Sequence, residues 1–295
     1  MLTGCHQRAF LTPLAAHIST IGFVGAGRLA ASLAAALTAA GYPIRAVASR
    51  DRPSAATLAS SLGTESAPAD AVVRSCDLVF LTVPDSQISE LARSLPWRPG
   101  QFIVHCSGAV DLDALAAARD RGPIPGCFHP LQTFPSRAPE PDRFRGIHCG
   151  IEAPEPLGAY LETLAADLGA LSFRLEGVDR RLYHAAAVFM SNHVVALASA
   201  AARLWELAGL DASAQGALSP LMLSAANNVA NMSLRDALTG PVVRGDIATV
   251  QGHLAALAGT PDLRELYRAL SAELLHLDLN HSPETTQLLT VLLRP

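Results

Sequence analysis

One short stretch constrains the fold of this chain more than any other. An apolar run from Ile18 to Val24 ends in Gly25-Ala26-Gly27-Arg28-Leu29-Ala30 and passes into an Ala/Leu-rich helix that reaches Ala40. Gly25, Gly27 and Ala30 fit the spacing G-x-G-x-x-G/A, the turn through which a backbone approaches a dinucleotide pyrophosphate. The first glycine permits the tight turn, the second leaves room for the phosphates, and the small third residue lets helix and strand pack closely. The helix N-terminus supplies free N–H groups for the anion. A bare glycine pattern is common; a buried strand before it and a helix after it make it specific.

The same alternation continues along the first half. Tyr42–Ser49, Asp77–Val83, Gln101–Cys106, Pro123–Phe128 and Gly146–Glu152 read as strands, with Leu171–Leu175 as an edge strand and Ala55–Leu62 as a helix. Continuous apolar runs such as DLVFLTV are what a parallel strand buried on both faces requires. After Glu176-Gly177 the pattern changes. Asp179–Ala208 reads as one long Ala-rich helix, and segments near 211–217, 220–238, 246–258, 261–277 and 282–293 continue in helical spacing. The expected architecture is α/β: a doubly wound parallel sheet over residues 17–177, then an all-α domain over 178–295, with residues 1–16 as an N-terminal extension.

Composition narrows the chemistry. Half of the 295 residues are hydrophobic, enough for two cores, and the net charge of −4 comes without a basic stripe, which argues against nucleic acid. No apolar run is read as long enough for a bilayer, so no membrane partner is expected. The five cysteines, Cys5, Cys76, Cys106, Cys127 and Cys149, lack metal-ligand spacing and suit a reducing, cytoplasmic location. No metal site is expected among the ten histidines. All 22 basic side chains are arginine. Without lysine there is no Schiff-base chemistry and no lysine acid, so a proton must come from His, Tyr, Cys, a carboxylic acid or water.

The strand ends supply the candidate site. Where an NAD-binding sheet places an acid, the second strand ends in Ser49-Arg50, a hydroxyl and a guanidinium suited to a 2′-phosphate. NADP is therefore favoured, with NAD open if Asp51 takes the ribose. Val83-Pro84, Ser107-Gly108 and the loop Phe128–Phe134, carrying His129, leave later strand ends toward the ligand crevice. Ser107-Gly108 offers a hydroxyl and a backbone N–H near a nicotinamide; His129 either meets substrate or caps a loop carbonyl. On the long helix, His184, Val188 and Ser191 form one stripe with Asn192 at its edge, while His193 points elsewhere. Asp246 fits an N-cap, followed by Thr249 and His253. Arg244 beside it would hold a substrate carboxylate if its loop reaches the crevice.

With the strings VGAGRLA, LTVPDSQI, HCSGA, FHPLQTF, YHAAAVFMSNH and LTGPVVRGD assembled, the chain resembles the 6-phosphogluconate dehydrogenase-like superfamily. Within it, the chain is similar to oxidoreductases that pair a Rossmann-like domain with an uncharacterised helical domain of DUF2520 type. Wider relatives include ketopantoate reductase and pyrroline-5-carboxylate reductase. The resemblance implies hydride transfer between NADP(H) and a small carbonyl or imine, a carboxylate-bearing one if the activity is like that of ketopantoate reductase, and a homodimer formed by the helical half. The hydroxyacid dehydrogenases carry Lys-x-x-x-Asn on the first long helix of the second domain. Asn192 matches the asparagine, but Val188 stands at the lysine position, leaving His184 or His129 as proton donor. A non-catalytic NADP(H)-binding sensor or scaffold is the alternative.

Overall fold

In the computed structural model, which describes residues 18–211 and 213–294, the chain forms two units, Met1–Ser191 and Asn192–Pro295. The expected N-terminal extension, with Cys5, lies outside the described residues. Eight strands build one sheet: β1 (Ile21–Val24), β2 (Ile44–Ala48), β3 (Glu65–Ser66), β4 (Leu78–Leu81), β5 (Phe102–His105), β6 (Ile124–Pro130), β7 (His148–Glu152) and β8 (Leu171–Arg174). Their spatial order is β3-β2-β1-β4-β5-β6-β7-β8. The order reverses between β1 and β4, which opens a crevice at their carboxyl ends.

Helices of the first unit are α1 (Arg28–Ala39), α2 (Arg52–Leu62), α3 (Ala69–Ser75), α4 (Asp85–Ser94), α5 (Ala116–Arg119), α6 (Leu157–Asp167) and α7 (Arg180–Phe189). They cover both faces of the sheet, and the strand period of two sorts the residues between them. Ile21, Phe23, Leu78, Phe80, Phe102 and Val104 pack into one core with α1, α2 and α6. Val24, Val79, Leu81 and Ile103 pack into the other with α3, α4 and α5. This double burial explains why these strands read as unbroken apolar runs. Cys76, Cys106, Cys127 and Cys149 are buried free thiols.

Three local expectations change. The sheet is not wholly parallel: β7 runs antiparallel to β6, pairing Gly150 with His129 and Glu152 with Cys127. His129 thus lies on a strand rather than in the loop after one. The expected helix Asp179–Ala208 breaks at Met190-Ser191, dividing α7 from α8 (Asn192–Leu207), so the two units separate there and Gly177 lies inside the first. Counted through that turn, Arg180–Leu207 spans 28 residues and contains an 18-residue window of mean hydropathy 1.5, long and apolar enough to cross a membrane by length and composition alone. The sequence expectation of no such run is corrected accordingly.

The second unit continues with α9 (Ala214–Asn231), α10 (Leu234–Ala237), α11 (Pro241–Arg244), α12 (Ile247–Ala256), α13 (Pro261–Glu273) and α14 (Pro283–Leu292). Pro220 lies inside α9, so the expected break before it does not occur. A small core of Val242, Val250, Leu254, Leu289 and Leu293 holds α11, α12 and α14 together. Asp246 caps α12 as expected, accepting the Thr249 N–H at 3.0 Å.

Candidate functional site

The glycine turn sits at the crevice. Gly25 has φ of +118°, and a Cβ there would lie 2.3 Å from the Thr82 carbonyl oxygen, so only glycine fits. Its N–H donates to Ala48 O at 2.8 Å, tying the end of β2 to the turn. Thr82 Oγ1 donates to Gly25 O at 3.0 Å, which brings the Val83-Pro84 segment after β4 alongside. Gly27 caps α1 without a side chain, and nothing lies within 4 Å of where its Cβ would be. The first-turn N–H groups of α1, around Arg28 and Leu29, therefore face open space with no capping side chain. Ala30 is fully buried against the sheet. These features fit a dinucleotide pyrophosphate.

Ser49 and Arg50 follow β2 directly. The Ser49 hydroxyl accepts the Asp51 N–H at 3.2 Å, which leaves its O–H to donate. Asp51 accepts the Ser54 hydroxyl, the main cause that holds its carboxyl below the usual range. Arg137 reaches the same place, 2.6 Å from Ser54 Oγ and 3.5 Å from Asp51 Oδ2.

A second cluster gathers around the turn after β5. The Ser107 N–H donates to His105 Nδ1 at 3.2 Å, and Ser107 Oγ accepts from the N–H groups of Ala109 and Val110. The Ser107 hydroxyl is thus an acceptor within its own turn, which leaves its O–H to donate. His105 is fully buried; burial, then the Arg180 charge, lowers it to about 3, so the ring is neutral with its proton on Nε2. Arg180, at the start of α7 and 6% exposed, donates to Gly108 O at 3.1 Å, Ser107 O at 2.8 Å and Cys127 Sγ at 3.0 Å. It also pairs with Glu152 at 3.1 Å. A buried guanidinium requires such partners, and together they fix the turn.

Both candidate imidazoles meet at that turn. A Cβ at Gly108 would lie 2.7 Å from His129 Cε1 and 2.8 Å from His184 Nδ1, so only glycine lets the rings close on the backbone. The ring centroids are 6.2 Å apart. Tyr183 Oη lies 2.7 Å from His129 Nδ1. Burial first, then the neighbouring His184 and Arg180, lowers His129 to about 4, and burial pushes Tyr183 up to about 12. His184 Nδ1 is buried with no hydrogen-bond partner among the described residues. A cleft of about 540 Å³ beside the turn is lined by Ala109, Asp111, Glu152 and Arg180 but by neither histidine.

The remaining expected residues lie on α8, on α11 or in the turn before α8. Ser191 Oγ donates to Ala187 O at 2.7 Å. Asn192, exposed, begins α8 of the second unit, and Arg244 ends α11 there. Sequence reading missed Tyr183 as a ring partner, Arg180 and Arg137. Tyr183 alone carried a signal, since it adjoins His184 at the polar start of an otherwise apolar helix. No group of three or more His, Cys, Asp or Glu among the described residues could hold a metal ion.

Sheet order and glycine turn together define a Rossmann-like protein. Residues 11–130 match the Rossmann-like domain family, and residues 147–274 match DUF2520, a domain of unknown function. The chain belongs to the family that joins these two domains. It is similar to a candidate NADP oxidoreductase of Bacteroides fragilis, with 30% identity, a TM-score of 0.73, and coverage of 87% of this chain and 97% of that one. A Thermotoga maritima protein matches at 27% identity and TM-score 0.68, covering 90% and 98% of the two chains. The reductive aminase of Aspergillus terreus, solved with NADPH and ethyl-5-oxohexanoate, shares the fold at 15% identity and TM-score 0.67, covering 93% and 99%. No curated protein matches the sequence.

Proposed function

We propose that this chain is an NADP(H)-dependent oxidoreductase acting on a small carbonyl or imine compound. The observation that carries the proposal is the uncapped glycine turn at Gly25–Ala30, held within one hydrogen bond of a strand end that offers Ser49 and Arg50. The relative from Bacteroides fragilis, described as a candidate NADP oxidoreductase, supports the same cofactor. Bound there, the nicotinamide supplies or takes a hydride. Pyrophosphate would rest on the α1 N-terminus with Val83 and Pro84 beside it, and the 2′-phosphate on Ser49 and Arg50. Asp51, engaged by Ser54 and Arg137, is poorly placed to bind a ribose hydroxyl instead.

The imidazole pair divides the remaining work. His129, neutral above about pH 4, acts as a hydrogen-bonding group: with Tyr183 donating to Nδ1, its Nε2–H is the free donor. His184 then remains the proton donor, its buried Nδ1 awaiting a partner that a substrate heteroatom can provide. Arg180 and His105 hold the Ser107–Gly108 turn against which both rings rest. Val188 in place of a lysine favours the second reading, a protein that binds NADP(H) without turnover.

The apolar surface of the second unit supports a homodimer. No described residue of α8 or α9 is buried, and Val195, Leu207, Leu221 and Leu223 are each more than 60% exposed. Continuous apolar surface of this kind marks an interface, and a second copy of the chain is its proposed cover. Buried free thiols suit a reducing compartment such as the cytoplasm.

Thermal shift with NADPH and NADH is the first test. At about 100 times its dissociation constant NADPH should stabilise the protein by roughly 2.7 kcal/mol. No shift with either nucleotide would remove the cofactor proposal. NADPH oxidation across oxo acids, aldehydes and cyclic imines then separates enzyme from sensor. Full turnover in His184→Ala would overturn the proton-donor role.

A further inference from the structure

The Pro-rich connection from β6 to β7 is braced at several points. Its start and end are joined by Phe134 and the buried Phe144, whose rings lie 5.5 Å apart. The Glu140 N–H donates to the hydroxyl of Ser32, a fully buried residue of α1, at 3.1 Å. Arg143 bonds Glu140 at 2.5 Å and the Thr133 carbonyl at 3.4 Å. The segment is thereby fastened to the helix that follows the glycine turn, and its tip carries Arg137 to the start of α2.

There Arg137 meets a carboxylate that already has a partner. Asp51 accepts from Ser54 on its own helix, and the Arg137 contact at 3.5 Å joins side chains 67% and 53% exposed. Exposed pairs of this kind add little stability, so the pair does not account for the bracing. What the bracing achieves is position. Arg50 and Arg52 flank Asp51 in the chain and Arg137 reaches it from the loop, three guanidiniums to one carboxylate next to Ser49, at a strand end that the Gly25 N–H grips at 2.8 Å. A phosphate monoester one ribose away from the pyrophosphate would meet this charge.

We propose that Arg137 is a specificity-determining residue: its guanidinium moves from Asp51 onto the 2′-phosphate of the dinucleotide, completing a clamp with Ser49 and Arg50. This rests on NADP(H) being the cofactor. Ser54 keeps Asp51 satisfied when Arg137 leaves, so the exchange costs no unpaired carboxylate. The planar fork of arginine suits the oxyanion in a way a single ammonium would not.

Calorimetric titration of the full chain with NADP⁺, NAD⁺, 2′,5′-ADP and 5′-AMP tests this without any turnover. Wild type should bind NADP⁺ and 2′,5′-ADP at least about tenfold more tightly than NAD⁺ and 5′-AMP. Arg137→Ala should lose about tenfold on the two 2′-phosphorylated ligands and less than about twofold on the others. Its melting temperature without ligand should stay unchanged, and Arg137→Lys should restore part of the loss. If wild type shows no preference, the NADP assignment fails and takes this inference with it. If wild type prefers NADP⁺, Arg137→Ala keeps the preference and Arg50→Ala abolishes it, Arg137 is excluded while the cofactor assignment stands.

Discussion

The sheet of the first unit and the helix pair α8–α9 of the second handle apolar surface in opposite ways. Every residue of β1, β4 and β5 is buried, because helices cover both faces of the sheet. In α8 no residue is buried, although the helix is rich in Ala, Val and Leu. The hydrophobic effect rewards only area removed from water, so the strands of the first unit gain from it within one chain, while the exposed apolar residues of α8 and α9 do not. The contrast matches the different jobs proposed above, the cofactor cradle for the first unit and the dimer surface for the second.

The largest effect should follow from attacking the buried region. Gly25→Val puts a branched side chain at φ +118° with its Cβ 2.3 Å from Thr82 O. Strain and overpacking together should cost about 3 kcal/mol or more and abolish NADPH binding, read by urea denaturation and calorimetry. A stable, NADPH-binding variant would mean that the turn is not the cofactor cradle.

The exposed region should fail differently. Light scattering of wild type should give the mass of two chains, and Leu221→Asp with Leu223→Asp should weaken the dimer by about 100-fold or more while NADPH binding persists. A monomeric wild type removes the proposed cover. Flotation of wild type with lipid vesicles would assign the apolar face to a membrane instead.

Acid should act next, and on the first unit. An unfolded histidine binds its proton near pH 6.5, whereas folded His129 does so only near 4. Between these values the unfolded state holds more protons, so stability falls as pH falls and the contribution is gone below about 4. His105, lowered to about 3, acts in the same direction. His129→Asn should flatten the decline by about 2–3 kcal/mol, followed by chemical denaturation at pH 7 and pH 4.

The smallest effect isolates one hydrogen bond. Tyr183→Phe removes the 2.7 Å contact to His129 Nδ1 and frees the ring to change tautomer. Activity should drop about tenfold, with stability changed by about 1 kcal/mol. Unchanged activity would show that the tautomer of His129 is set elsewhere.

Local chemistry explains what could be read from sequence. Apolar runs located all the main strands, and the glycine spacing located the turn, because both depend on neighbours a few residues apart. The two-residue β3 was too short and too exposed to leave an apolar signature. Nothing local reveals that β7 returns antiparallel, since the direction depends on the path of the 131–147 connection. The break at Met190-Ser191 is equally silent, lying in a run without proline or glycine. His129 and His184 were visible as polar interruptions, yet their meeting at Gly108 depends on the register of β5, β6 and α7 together. Nothing in the sequence around Arg180 or Arg137 sets them apart from the other arginines; burial makes the first a clasp, and a braced loop delivers the second to α2.

The closeness of Gly108 to both imidazoles also furnishes a natural spectroscopic probe. Its α-protons lie within the ring-current fields of His129 and His184, and glycine α-carbons occupy an uncrowded part of a carbon–proton correlation map. Rotation or protonation of either ring should displace that one signal. Substrate entry could then be followed at natural sequence, without an introduced fluorophore or cysteine.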